Sequence, residues 1–239
     1  MELYNSEKYD EAIEAFSILA GYGDSEKKIE DCYIGKIGEE KYNQIKNITV
    51  GDTYSFGHFS SDNSKSKQEP IEWIVLSKNG LSLMLITKKA ITTHAVNPLF
   101  GQGESLTFYS SCSWESCELR KWLNSVFLSS SFSSQEQEML IVTTNSSDEP
   151  NLSFGDQKIS LKTCNNTNDK VYILSASEAY EYFKTQNDRI ANDSWWVRTM
   201  FDSDGSTYVF FVDESGAINQ ASRMDQEIGI RPVIWINLG

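Results

Sequence analysis

Apolar side chains at Tyr9, Ala12, Ile13, Phe16 and Leu19 recur at helical spacing, which predicts an amphipathic helix over residues 3–20. Gly21-Tyr22-Gly23 ends it, because two glycines remove helix propensity and permit left-handed backbone. Asp24 or Ser25 can cap a second helix with Ile29, Cys32 and Tyr33 on its apolar face. Gly35 and Gly38 weaken the end of that helix, and Tyr42 and Ile45 supply a last turn.

From Val50 the period changes to that of strands. Tyr54–Phe59 alternates, Ser60–Gln68 is a polar loop, and the apolar runs Ile71–Leu76 and Leu81–Thr87 flank Ser77-Lys78-Asn79-Gly80. Asn-Gly between two such runs predicts a hairpin with a primed turn, since both residues tolerate positive φ. A helix is expected from Trp114 to Phe127, capped by Ser113, with Leu119, Trp122, Leu123 and Val126 on one face. Ser133-x-x-Glu136 and Ser175-x-x-Glu178 are capping boxes for two more helices. Ile141–Thr144 and Val171–Leu174 read as extended, and residues 145–168 as a long polar excursion from the core. Trp195–Thr199, Thr207–Val212, Ala217–Gln220 and Ile230–Asn237, separated by Asp- and Gly-rich turns, predict a β-meander. Strands segregated from helices argue for α+β rather than a doubly wound sheet.

Composition narrows what such a chain can do. The 239 residues are 39% apolar and 12% aromatic, with six tryptophans, which supports a sizeable core. The net charge of −13 disfavours nucleic acid and anionic lipid, and the only compact basic pair is Arg120-Lys121. No apolar run approaches the ~20 residues of a membrane span, so no membrane insertion is expected. Met1-Glu2-Leu3-Tyr4 resembles no signal peptide, which favours a cytoplasmic location unless the chain is trimmed. Cys32, Cys112, Cys117 and Cys164 lack CxxC spacing and read as free thiols.

Candidate chemistry is sparse. His58 and His94 belong to no HExxH, and neither a GxSxG elbow nor a phosphate loop is present. Asp202-x-Asp204-Gly205 opens like a calcium loop but lacks the remaining spaced ligands, so it reads as a turn. No metal and no cofactor are expected. Adjacent strand residues face opposite sides, so one of Trp195 and Trp196 is expected in the core and the other at a surface. Arg198 and Arg231 read as structural cations paired with carboxylates or backbone carbonyls, and Trp195 and Trp235 as structural anchors.

Two resemblances add to this reading. Tyr9, Ala12, Phe16, Leu19, Gly21, Tyr22, Asp24, Ser25, Ile29, Cys32 and Tyr33 resemble one tetratricopeptide-like helical repeat over residues 1–46. Residues 49–239 resemble a bacterial domain family of unknown function. The resemblance runs through Gly51–Gly57, Pro70–Leu76, Trp114-Glu115 with Leu119-Arg120-Lys121-Trp122-Leu123-Asn124, Val171–Ser175, Trp195-Trp196-Val197-Arg198 and Arg231-Pro232-Val233-Ile234-Trp235-Ile236. The Trp-Trp-x-Arg and Arg-Pro endings are similar to those of C-type-lectin-like domains, including relatives of the formylglycine-generating enzyme. That similarity implies a central meander with flanking helices and long loops. The enzymes use a cysteine pair, and the C-terminal meander here has no cysteine, so their activity is not carried over.

The function expected is a non-catalytic module binding a protein or small ligand, with the helical hairpin as a docking or linker element. The candidate ligand-binding residues along the meander are Trp196, Phe201, Asp202, Tyr208, Phe210, Asn219, Gln220 and Met224, which mix aromatic anchors with adaptable polar groups. Three alternatives stay open: the variable protein of a diversity-generating retroelement, a hydrolase using carboxylates from Asn145–Asp169, and a structural adaptor.

Overall fold

A computed structural model describes residues 8–60, 68–98, 112–147, 152–154, 157–203 and 206–237, with side chains described except at 152–158 and 220–223. The architecture is mixed α+β, built on antiparallel pairing. Three helices come first: α1 (Tyr9–Ser17), α2 (Ser25–Ile37) and α3 (Glu39–Asn47). Ala12 and Cys32 are buried between the first two. Helix α2 continues through Gly35 because the Tyr9 ring lies over it; a Cβ there would stand 2.6 Å from the ring. It stops at Gly38, where φ is +86°. Helix α1 ends before Leu19, which is 53% exposed, so the predicted stripe is one turn too long.

The expected last turn at Tyr42 and Ile45 is a full helix, α3, and both side chains are buried. The Lys78 ammonium donates to the carbonyls of Ile45, Lys46 and Ile48 at 2.8, 2.8 and 2.9 Å. Those carbonyls at the end of α3 have no partner within the helix, and a cation there also suits the helix dipole. This lysine fastens α3 to the sheet.

The strands β1 (Thr53–Phe59), β2 (Glu69–Asn79), β3 (Ser82–Thr87), β5 (Leu140–Ile141), β10 (Val171–Tyr172) and β15 (Val233–Asn237) form a six-stranded sheet in the order β1-β2-β3-β15-β10, with β5 also on β15. A second sheet runs β13 (Ile218–Arg223), β12 (Ser206–Val212), β11 (Trp195–Ser203), β14 (Ile228–Ile230) and β4 (Thr92–His94). Two small ladders join β6 (Thr143–Asn145) to β9 (Thr167–Asp169), and β7 (Leu152–Phe154) to β8 (Gln157–Ile159).

Strands β11, β12 and β13 form the predicted meander, but the expected strand Ile230–Asn237 is two strands. The chain runs as β14 in the second sheet, breaks at Arg231-Pro232, and continues as β15 inside the first. Proline has no N–H for a ladder and biases the preceding residue towards an extended conformation, so this dipeptide is a natural place to change sheets. The polar excursion also returns to the core: Leu161 bridges to Phe201, and Lys162 N donates to the Met200 carbonyl at 2.8 Å.

Both capping boxes form, at Ser133/Glu136 on α6 (Ser134–Met139) and at Ser175/Glu178 on α7 (Ala176–Tyr182). The helix predicted from Trp114 starts later. Residues 114–116 form a turn, Cys117 is the N-cap, and α4 (Glu118–Trp122) passes through a π-helical turn (Leu123–Phe127) into α5 (Leu128–Ser131). Leu119, Leu123 and Phe127 form its buried face, whereas Val126 is 52% exposed.

The hairpin of β2 and β3 turns one residue later than expected. Asn79 pairs with Ser82, leaving Gly80 and Leu81 as the connection, and Gly80 has φ +59°. A Cβ at Gly80 meets nothing within 4 Å, so Gly80→Val tests backbone conformation alone. It should cost about 1 kcal/mol or more, because a β-branched residue is strained at positive φ. An unchanged urea midpoint would contradict this turn.

Cys32, Cys112, Cys117 and Cys164 are free thiols. Burial raises the pKa of the Cys112 and Cys117 thiols, and of the Tyr54 and Tyr172 phenols. Their stabilising contribution is fully present below the unfolded-state values, 9.0 for a thiol and 10.0 for a phenol, and is lost as pH rises towards the folded ones. Buried Arg231 acts oppositely, but only above its own lowered value of about 10. Stability should therefore fall between pH 8.5 and 10, and a flat urea midpoint across that window would refute the assignment.

Candidate functional site

Helix α4 presents Arg120, and the π-helical turn presents Asn124 one turn further on. Both reach the carboxylate of Asp169, whose side chain has no solvent exposure. Arg120 Nε donates to Oδ1 at 2.7 Å and Asn124 Nδ2 to the same oxygen at 3.3 Å. Thr167 Oγ1, Asn145 Nδ2 and Trp114 Nε1 donate to Oδ2 at 2.7, 3.0 and 3.4 Å. A buried carboxylate is tolerated only when it is paired and hydrogen-bonded, and Asp169 meets both conditions. Asn124 also imitates a strand: its Oδ1 accepts from Lys170 N and Val171 N, and its Nδ2 donates to the Val171 carbonyl.

Beside this centre lies a crevice of about 20 Å3 between the returning excursion and β11, space for about one water molecule. Ser113, Asn145, Ser147, Lys162, Asn165 and Arg198 line it, along with Trp114 and Met200. Its cations are matched internally. Lys162 Nζ sits 2.9 Å from both oxygens of Asp202 and donates to Thr207 Oγ1, while Arg198 grips Glu178 with two nitrogens and also donates to the Ile173 carbonyl. Burial pushes the Asp202 carboxyl up, but the hydrogen bonds from Thr207 and Lys162 prevail and hold it below the usual range. Its hydroxyls and amides are engaged too, Asn145 on Asp169, Ser147 on the Cys164 carbonyl and Asn165 on Glu115, and a ligand would meet their remaining hydrogens and lone pairs.

The predicted ligand residues with described side chains separate into three groups. Phe201, Asp202 and Tyr208 lie together at the end of the β11–β12 hairpin beside Lys162; the Phe201 and Tyr208 rings stack with centroids 5.4 Å apart. Asn219 is half-buried at the far end, donating to Asp213. Trp196, Phe210 and Met224 are core residues, and Phe201 too is buried in the core. Gln220 has its backbone in β13, and its side chain lies outside the described residues.

The expectation of one outward tryptophan is corrected, since Trp195 and Trp196 are both fully buried. Strand β11 is internal to its sheet and covered on both faces, as its unbroken burial from Trp195 to Phe201 shows. Trp195 Nε1 donates to the Arg189 carbonyl and Trp196 Nε1 to that of His94. Trp235 is half-buried on β15. Arg231 is 1% exposed and takes a backbone carbonyl, with Nε 2.9 Å from the Thr87 oxygen.

Sequence reasoning included Asp169 only among the carboxylates of Asn145–Asp169, without singling it out, and missed Lys162. The available signal was Arg120 and Asn124 at i, i+4, two polar residues one turn apart beside a buried helix face. His58 is exposed, and His94 lies against Trp122 with ring centroids 5.1 Å apart. Asp148, Glu149 and Asp156 of the excursion, and Asp204 and Gly205 of the calcium-like turn, lie outside the described residues. Among the described residues, no group of three His, Cys, Asp and Glu could hold a metal ion, and no helix is long and apolar enough to cross a membrane.

Removing the Asp169 carboxylate strands five donors. Asp169→Ala should destabilise the fold by about 3–5 kcal/mol, the scale for breaking a buried pair. Chemical denaturation within about 1 kcal/mol of the parent would show that the centre is not structural.

A family model for a domain of unknown function (DUF6273) matches residues 82–238, and the chain belongs to that family. The match begins at β3, whereas the sheet that holds β3 also includes β1 and β2. No curated protein and no solved structure matches the chain.

Proposed function

We propose that this DUF6273 protein is a non-catalytic recognition module on a C-type-lectin-like scaffold, and that it binds an uncharged polar group of a protein or small ligand. The observation that carries this reading is the crevice, which is small, rich in hydroxyls and amides, and has its charges already matched within the protein. A charged ligand would gain little there, because it would compete with ion pairs already formed. A ligand's amide or hydroxyl gains directed hydrogen bonds, and half-buried Tyr208, stacked on the core residue Phe201, adds an aromatic surface beside the crevice. The three-stranded meander, the flanking helices and the loop returning onto β11 support the lectin-like reading.

The helical hairpin fits a docking or linker role. An open groove of about 910 Å3 runs between α3, β1 and α6, within reach of a partner engaging the helices.

The test is amide NMR with a panel of neutral oligosaccharides and blocked peptides. Shift changes should centre on Ser113, Asn165, Phe201 and Tyr208. Tyr208→Ala and Asn165→Ala should each abolish them without lowering the melting temperature by more than a few degrees, as expected for side chains that are not buried. Shifts confined to other faces would refute the site. Turnover of any panel member would refute the non-catalytic reading.

A further inference from the structure

Arg231 stands where the chain crosses from β14 to β15, with 1% of its surface exposed. Its guanidinium lies over the Trp195 ring at 4.9 Å and the Phe183 ring at 5.4 Å. Only its edge is left for hydrogen bonds, and Nε spends one of these on the Thr87 carbonyl. Nη1 is buried and has no hydrogen-bond partner among the described residues.

The neighbouring residue shows the same deficit. Thr87 is fully buried, its N–H donates to Pro232 and its carbonyl accepts from Arg231, yet its hydroxyl has no partner among the described residues. Two buried donors are thus unmatched on residues already bonded to each other. No carboxylate among the described residues pairs with Arg231, whereas Arg120 and Arg198 each have one. Aromatic faces attract a cation but do not neutralise it, and an uncompensated charge in the interior is costly. Burial accordingly draws the guanidinium pKa down to about 10.

We propose that Nη1 of Arg231 and the hydroxyl of Thr87 together hold one small monovalent anion of chloride size. Both groups can donate, and their residues meet at the Thr87 carbonyl. A water molecule would satisfy the hydrogen bonds but leave the charge uncompensated. Burial of both groups favours a small ion such as a halide over phosphate or an organic acid. The site is independent of the crevice.

Thermal unfolding of the full chain at constant ionic strength tests this, with sodium gluconate replaced stepwise by chloride or bromide. The melting temperature should climb and saturate with either halide, because an ion bound only by the folded state stabilises it by mass action. Thr87→Val, which keeps the shape without the hydroxyl, should lose that saturable rise. Crystals grown in bromide should show an anomalous peak against Arg231 Nη1. The proposal is overturned if the parent melts alike in gluconate and halide, or if Thr87→Val keeps the full response. It is equally overturned if the bromide crystals show density at Nη1 with no anomalous signal.

Discussion

The carboxylate of Asp169 sets the terms for much of the molecule. It lies wholly out of water at the end of β9 and accepts from a turn, two positions on one helix, the partner strand of its own ladder and its own strand. Such a charge can be buried only if every one of those segments arrives, because each missing donor leaves part of it unsatisfied. The helix also has an apolar anchor in Leu119, Leu123 and Phe127, and the turn has one in Trp114, whereas the β6–β9 ladder is short and polar. Asn145 is located chiefly by this carboxylate, which also ties Trp114 and the helix of Asn124 to the crevice wall.

Around this centre the two sheets are tied rather than simply stacked. Arg198 N donates to the Leu174 carbonyl, and Thr199 Oγ1 accepts from Ala176 N, at 2.8 Å each. The Arg198–Glu178 pair then joins β11 to the capping box of α7, so one glutamate serves helix initiation and sheet docking together. Glu136 is shared in the same way. It completes the box at Ser133 and accepts from Gly57 N, whose residue has φ +70° and lies under the Phe132 ring. Side chains that start helices here also position strands, which is why short helices persist in a strand-rich fold.

The features legible in the sequence were those fixed by nearest neighbours in the chain. Ser133/Glu136 and Ser175/Glu178 announce their helices because the capping bonds span three residues. Gly80 announces its turn because only glycine accepts that backbone at little cost. Misread features depend on partners far along the chain. The π-helical turn at Asn124 makes bonds to residues 169–171, and Trp196 lies on an internal strand with β14 and β4 beside it, its Nε1 on the His94 carbonyl. Phe210 and Met224 were plausible surface residues in a meander considered alone, yet they lie within a core formed with other elements. Lys162 escaped notice because its partner, Asp202, is 40 residues away.

The passage from β14 to β15 also has a consequence for how the chain is made. Strand β15 lies inside the larger sheet, and its Asn237 pairs with Ser82, 155 residues earlier. During synthesis β3 must therefore wait, with one row of N–H and C=O groups unpaired, until almost the whole family domain has left the ribosome. Contacts so distant carry a high loop-closure entropy and form late. For that interval the hairpin of β2 and β3 is an apolar sheet with an open edge, the kind of surface that recruits other strands. Completion of this fold is thus a race between the arrival of its own last strand and the capture of that edge by another chain.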